Sequence, residues 1–240
     1  GPLCLLDKDK KPLQDSILWY CTRARDYPEI FGQHITPEEY QEHTGMQLSP
    51  LWVAAKVAWL RDNKPDTFEK TAWFANGQEY FLYLLGADRW ETDPASLTLN
   101  GMMDIRKLDW SDRVLEMCGI SRDRVPPVGP PSGMVGKVSK QASEATGIPE
   151  GVILCRGAGD QQCAAIGAGV IRQGMAEFTV GTAGVMVAHL DSVDRIKGKN
   201  LWWGGHGVPN AWDIEGGAFC LGASLKWWRD NLGLDEVQEA

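Results

Sequence analysis

Apolar residues at positions 52, 53, 57, 59 and 60 recur with the spacing of one helix face, which predicts a helix over Trp52 to Asp62. A comparable aromatic stripe from Asn76 to Leu85 predicts a second, and both helices read as packing into a core. A third is predicted from Pro37, because Thr36 is suited to cap its start and Gly45 to end it. The pattern changes in the second half of the chain. Val152 to Cys155 is a short apolar run of strand character, after which glycines let the backbone turn into Asp160, and small residues from Cys163 to Ile166 predict a helix there. Ala176 to Val180 and Val185 to His189 are apolar-rich strands joined through Gly181-Thr-Ala-Gly184, a predicted hairpin. Between the helix-rich and glycine-rich halves lies Pro126-Pro-Val-Gly-Pro-Pro-Ser-Gly133, the densest proline and glycine cluster, so the predicted domains are 1–128 and 129–240.

Two of these turns carry candidate chemistry. A carboxylate at the strand end and helix start, where Asp160 falls, is favoured by unpaired amides and the helix dipole, and is placed to accept a proton from a substrate hydroxyl. The same position suits an ordinary N-cap. The 181–184 turn offers backbone amides and the Thr182 hydroxyl, which together form a concavity suited to phosphate, although alone it reads as a plain hairpin turn.

Taken with their neighbours, these residues match a known pattern. Asp160-Gln-Gln followed by Ala-Ala, then Gly174-Met-Ala and Gly181-Thr-Ala-Gly184, resemble the FGGY carbohydrate kinase family. Ile17-Leu-Trp-Tyr-Cys-Thr-Arg23 resembles its sugar-binding tryptophan segment, and Thr92-Asp93-Pro-Ala-Ser96 through Leu108-Asp-Trp-Ser-Asp112 a passage near the end of its first domain. Gly216-Gly-Ala-Phe and Leu221-Gly-Ala-Ser-Leu-Lys-Trp-Trp-Arg-Asp230 resemble the early part of its second domain, and the blocks keep the family's order across nearly the whole chain. The resemblance implies an α/β, actin-like (RNase H-like) ATPase fold with two domains, both incomplete here, each a mixed sheet flanked by helices.

The resemblance also implies roles. Asp160 would be the catalytic base, Trp19, Arg23 and Gln161 would meet the substrate, and Gly181, Thr182 and Gly184 would cradle phosphate, with Gly222 and Lys226 lining the nucleotide pocket. ATP and Mg2+ are the implied cofactors, with no certain protein ligand for the metal. The implied partner is a small sugar or polyol, and the resemblance leaves room for a homodimer. A pentulose such as xylulose or ribulose is the first choice of substrate, because glycerol kinases carry an aromatic where this chain has Leu51. Glycerol, other polyols and the linear diketone of autoinducer-2-type kinases follow. A non-catalytic sugar- or nucleotide-binding protein on the same fold stays open. The family's Asp-x-Gly-Thr phosphate loop is not in the sequence, and Ala240 precedes its adenine-binding region. The expectation is therefore an internal segment of a longer kinase, inactive by itself.

Composition narrows the classes. A net charge of −8 with no clustered basic face argues against nucleic acid. The six cysteines are dispersed with no Cys-x-x-Cys pair and the four histidines lack metal-ligand spacing, which implies reduced thiols in a cytoplasmic protein and no structural zinc. No apolar run is long enough to span a membrane. Ser132 to Val138 is similar to a P-loop, but Pro131 replaces its first glycine and Val138 its terminal hydroxyl, so it is set aside. Of the eleven tryptophans, Trp52, Trp59, Trp73 and Trp110 read as core, with Trp19 reserved for substrate.

Overall fold

The computed structural model describes residues 1–196, 200–218 and 220–232, so Phe219 of the Gly216 block lies outside the described residues. The first half is organised around β1 (Leu3–Leu6) and β2 (Trp73–Asn76), an antiparallel pair in which Leu3 faces Asn76 and Leu6 faces Trp73. Between them run α1 (Tyr27–Phe31), α2 (Pro37–Thr44), α3 (Val53–Asn63) and α4 (Pro65–Lys70). α3 is the centre of the core. Its sequence shows one apolar stripe, yet Ala54, Ala55 and Ala58 are buried along with Val53, Val57 and Leu60. Small residues there let neighbouring elements close on several sides of the helix.

α2 forms as expected. The Glu39 amide donates to Thr36 Oγ1 at 3.2 Å while the Thr36 amide donates to Glu39 Oε2 at 3.0 Å, a capping box that satisfies two terminal donors. Gly45 ends the helix at φ 81°, and a Cβ there would collide with the Trp203 carbonyl oxygen, so glycine serves both conformation and packing.

α5 (Gly77–Leu85) follows β2 directly, but its stripe does not pack as expected. Phe81 and Leu84 are mostly exposed, and the buried residue is Glu79, whose Oε2 accepts the Asn76 amide at 2.6 Å. The helix start decides its orientation: Glu79 must turn inward to complete the cap, which swings part of the aromatic stripe outward.

Next come α6 (Pro94–Leu97), the short hairpin of β3 (Met103–Asp104) and β4 (Asp109–Trp110), and α7 (Asp112–Cys118), which packs Val114, Leu115 and Cys118 into the α3 core. The proline-rich segment is tied down: the Thr92 amide donates to Pro127 O and the Gly129 amide to Thr92 O, both at 2.9 Å. Beyond it, β5 (Met134–Lys137) pairs with β6 (Ile153–Cys155) around α8 (Lys140–Thr146). After α9 (Asp160–Gly167), the strands β7 (Ala176–Val180), β8 (Gly184–Leu190), β9 (Trp202–Gly205) and β10 (Trp212–Ala218) form one antiparallel sheet in the order β7-β8-β10-β9, followed by α10 (Gly222–Asn231).

Every described strand pair is antiparallel, the only parallel contact among described residues being the isolated Thr92–Val128 bridge. The mixed sheets expected in each half are therefore not assembled among these residues, since most strands here pair with their neighbour in sequence. The four-stranded sheet docks on the first half. Trp202, Trp203 and Trp212 pack against the α3 core, the Trp203 amide donates to Gly45 O at 2.8 Å, and Trp212 Nε1 donates to Ile105 O at 2.7 Å.

Candidate functional site

Asp160 reaches its position through a fixed lead-in. Arg156 at the end of β6 is buried, paired with Glu91, and donates through Nε to Pro130 O at 2.8 Å. The chain then turns through Gly157-Ala-Gly159 into α9, where Gly159 is the N-cap and Asp160 the first helical residue. Asp160 is not the cap. Its Oδ1 accepts only the adjacent Gln161 amide, at 2.9 Å, and the carboxylate is exposed.

It opens onto a cavity of about 650 Å3. One wall is apolar, made by Trp19, Leu51 and Trp52, and a second is polar, made by Asn76, Gln78 and Ser96. Asp160, Gln161 and Gln162 of α9, Ala183 and Gly184 of the β7-β8 turn, and Trp202 and Glu215 also line it. The walls are braced from behind. The Trp52 and Trp202 rings meet edge-on at 5.7 Å. Buried Lys56 donates to Pro50 O at 3.1 Å and Leu51 O at 2.5 Å, fixing the loop that presents Leu51, and burial pulls its pKa down to about 8. On the polar wall, fully buried Asp93 accepts from Gln78 Nε2 at 2.7 Å, from the Ser96 hydroxyl at 2.8 Å and from the Ser96 amide at 2.9 Å. Glu215 is 5 % exposed, and burial pushes its pKa up to about 7, with the charges of Asp160 and Glu177 adding to the rise.

The cavity brings together Trp19, Asp160, Gln161 and Gly184 of the expected site residues. Trp19 is 53 % exposed, so its indole is available to a ligand. Arg23 is outside the lining: its guanidinium lies 5.2 Å over the Trp59 ring and Nε donates to Cys21 Sγ at 3.0 Å, so it anchors the tryptophan segment. Gly181 and Thr182 sit at the exposed tip of the turn, beside the cavity. Gly181 spends its amide on Ala183 O at 2.8 Å, and the carbonyls of Gly181 and Thr182 accept the amides of Gly222 and Leu221, each at 3.0 Å. A Cβ at Gly222 would collide with the Gly181 carbonyl, so this glycine seats the turn on α10. Lys226 is exposed on α10 and pairs with Asp230 at 3.0 Å.

Among the lining residues without a binding role in the sequence reading are Trp52, Gln78, Ser96 and Glu215. Trp52 is core as expected, but it also faces the cavity, and Gln78, Ser96 and Glu215 carried no assignment. The Thr92 to Ser96 resemblance was the available signal for Ser96. Glu215 had none, because alternation in Trp212-Asp-Ile-Glu215 places acids on the solvent side, and the structure turns them inward. A second cavity of about 570 Å3, lined by Glu39, His43, Asp104, Arg106 and Arg113 among others, contains none of the expected residues. No described helix is long and apolar enough to cross a membrane.

The chain is similar to known proteins over most of its length. A model of the FGGY family of carbohydrate kinases, N-terminal domain, matches residues 2–167. The chain is 29 % identical over 243 residues to the xylulose kinase of Bacillus subtilis, covering 99 % of this chain and 47 % of that protein. It is 30 % identical over 233 residues to the glycerol kinase of Thermococcus onnurineus, covering 94 % and 46 %. Among solved structures it superposes on the xylulose kinase from Rhodospirillum rubrum with a TM-score of 0.90 at 24 % identity, over 99 % of this chain and 48 % of that one. On the Plasmodium falciparum glycerol kinase with ADP the TM-score is 0.87 at 22 % identity, over 98 % and 48 %. The fold is thus the actin-like α/β fold shared by these kinases, and the chain spans about half the length of the curated relatives it matches.

Proposed function

The chain belongs to the FGGY family of carbohydrate kinases, and on that premise we propose that the full-length protein transfers a phosphoryl group from ATP to a hydroxyl of a sugar or polyol, with Asp160 as the general base. The observation that carries this reading is the position of Asp160: exposed, one residue past the N-cap Gly159, and in the lining of a cavity shared with Trp19, Leu51, Gln161 and Gly184. A substrate hydroxyl within hydrogen-bond reach of that carboxylate loses its proton to it as the oxygen attacks phosphorus. Gln161 orients the substrate from the adjacent position, and Trp19 covers its C–H face.

The phosphate-binding role of the 181–184 turn is supported by space. A Cβ built on Gly181 would meet only Ala183 O, at 3.7 Å, so the backbone is open to a phosphate there, and the exposed Thr182 adds a hydroxyl. Magnesium would enter this site as an ion carried by the nucleotide phosphates. When bound, magnesium–ATP supplies the phosphoryl group and neutralises its charge.

A pentulose is the substrate we favour. Leu51 stands in the cavity wall, so the position where glycerol kinases carry an aromatic is here aliphatic and leaves more room. Screening the full-length protein for ATP consumption with xylulose, ribulose and glycerol tests this reading: turnover is expected to be fastest with a pentulose. Glycerol as the fastest substrate would overturn the pentulose choice, and ATP binding without consumption on a broad panel of sugars and polyols would favour the non-catalytic reading.

A further inference from the structure

We infer that Glu215 is a positioning residue that ties the helix bearing Asp160 to the sheet bearing the 181–184 turn, with Gln162 as the other end of the tie. This rests on the kinase reading of the site above. The proposed transfer needs a base on one element and a phosphate cradle on another, held in a fixed mutual geometry. Asp160 is in the first turn of α9, while Gly184 is the first residue of β8. Two kinds of contact join the elements. Ala165 of α9 and Val187 of β8 share a small apolar cluster with Val170, which sets their spacing. Such packing is non-directional and leaves rotation of a two-turn helix about its own axis weakly defined.

The second contact is directional. Gln162 Nε2 donates to Glu215 Oε2 at 3.3 Å, and the side chains are 4 % and 5 % exposed, so little water competes for the bond. Both ends are fixed independently. Glu215 lies on β10, which pairs with β8 over seven residues, Glu215 facing Val187 and Ala218 facing Gly184. The other end folds back, with Gln162 Oε1 resting where a Cβ on Gly159 would be, against the turn that delivers Asp160. One buried carboxamide therefore touches the lead-in to the base on one side and the sheet of the phosphate turn on the other. Burial raises the Glu215 pKa to about 7, but the Oε2 acceptor can serve in either protonation state.

The full-length protein tests this with Glu215→Ala, Glu215→Gln, Gln162→Ala and the double alanine variant. Loss of the acceptor is expected to lower kcat on the order of tenfold while changing the KM of either substrate by less than about twofold, since Trp19, Gln161 and the 181–184 turn keep their proposed ligand contacts. Glu215→Gln keeps an acceptor oxygen and is expected to restore most of the turnover lost in Glu215→Ala. The double variant is expected to be no worse than Gln162→Ala alone. Amide hydrogen exchange without substrates should quicken across 158–163 in Glu215→Ala while the β8 amides stay protected. Several results would overturn the inference: unchanged exchange at 158–163, Glu215→Gln as slow as Glu215→Ala, or a melting temperature and both KM values that worsen together. The kinase reading fails separately, if Asp160→Asn keeps turnover, and the exchange result still decides the tie.

Discussion

The packing around α3 and the packing beneath α9 solve different problems with different residues. Around α3 the buried side chains are apolar almost throughout, and the one buried cation on that helix, Lys56, has its ammonium against two backbone carbonyls. Beneath α9 the sheet presents Asp213 and Glu215 from β10 and His189 from β8, with His206 just past β9, all 5 % exposed or less. The register sets Asp213 opposite His189, and the His189 and His206 rings meet at 4.8 Å. Burial pushes Asp213 up to about 8, with the Glu215 charge adding to the rise, and pulls His206 down to about 4. Directional groups specify orientation where apolar ones specify only proximity, and they do so at a cost in stability. The lesson is that stability is concentrated around α3 and alignment beneath α9.

The sharpest way to break that division is to damage each side in turn. Leu60→Ala empties a fully buried position on α3 and is expected to cost about 2–5 kcal/mol in chemical denaturation, with turnover per folded molecule unchanged. Asp160→Asn should do the reverse. It is expected to lower turnover at least about a hundredfold while stability moves by less than about 0.5 kcal/mol, because the side chain is exposed and Asn keeps an oxygen that can accept the Gln161 amide. Activity loss in Leu60→Ala beyond its unfolded fraction, or near-normal turnover in folded Asp160→Asn, would dissolve the distinction.

The α3 region was the more legible in sequence for the same reason. Apolar periodicity reports burial, so Trp52 to Asp62 and the Thr36-capped helix emerge within a residue or two of the observed bounds. The β7-β8 hairpin was equally plain from its glycines, apart from Gly184, which begins the strand. The reading failed where a polar group is buried for a specific partner. Glu79 turns inward to close a cap, against the α5 stripe, and Asp213 and Glu215 face inward on a strand whose alternation points them out. The Asn76–Glu79 cap is local but competes with the apolar stripe, whereas Gln162 lies far along the chain from Glu215, and no local pattern encodes that pairing.

A smaller effect sharpens the comparison on the nucleotide side. Gly181 has ordinary space where a Cβ would stand and no left-handed backbone, so Gly181→Val should fold normally. Its branched side chain would instead stand where phosphate approaches, raising the KM for ATP on the order of tenfold with little change for sugar. Calorimetric titration with each ligand separates the two. Equal weakening of both would assign the turn a purely structural role.

The smallest expected effect is a pH dependence of stability, to which the polar layer contributes its most strongly raised acid, Asp213. Asp213 holds its proton in the folded protein up to about pH 8, whereas the unfolded chain gives it up near 3.8. The folded state therefore binds more protons across that window, and stability falls as pH rises through it. His206 acts in the opposite sense, but only between about 6.5 and 4, below which its folded form also takes a proton. Above pH 6.5 the buried acids Asp213, Glu215 and Glu79 lower stability as pH rises, while Lys56, pulled down to about 8, opposes them at the top of the range, so the melting temperature is expected to fall by a few degrees between pH 6.5 and 8. Asp213→Asn should make that slope shallower, leaving the part due to Glu215 and Glu79, which both titrate near 7. Leu60→Ala should lower the whole curve without changing its slope, since no titrating group is lost. An Asp213→Asn variant that keeps the full slope would show that Asp213 is not held protonated and that the layer beneath α9 is not the strained one.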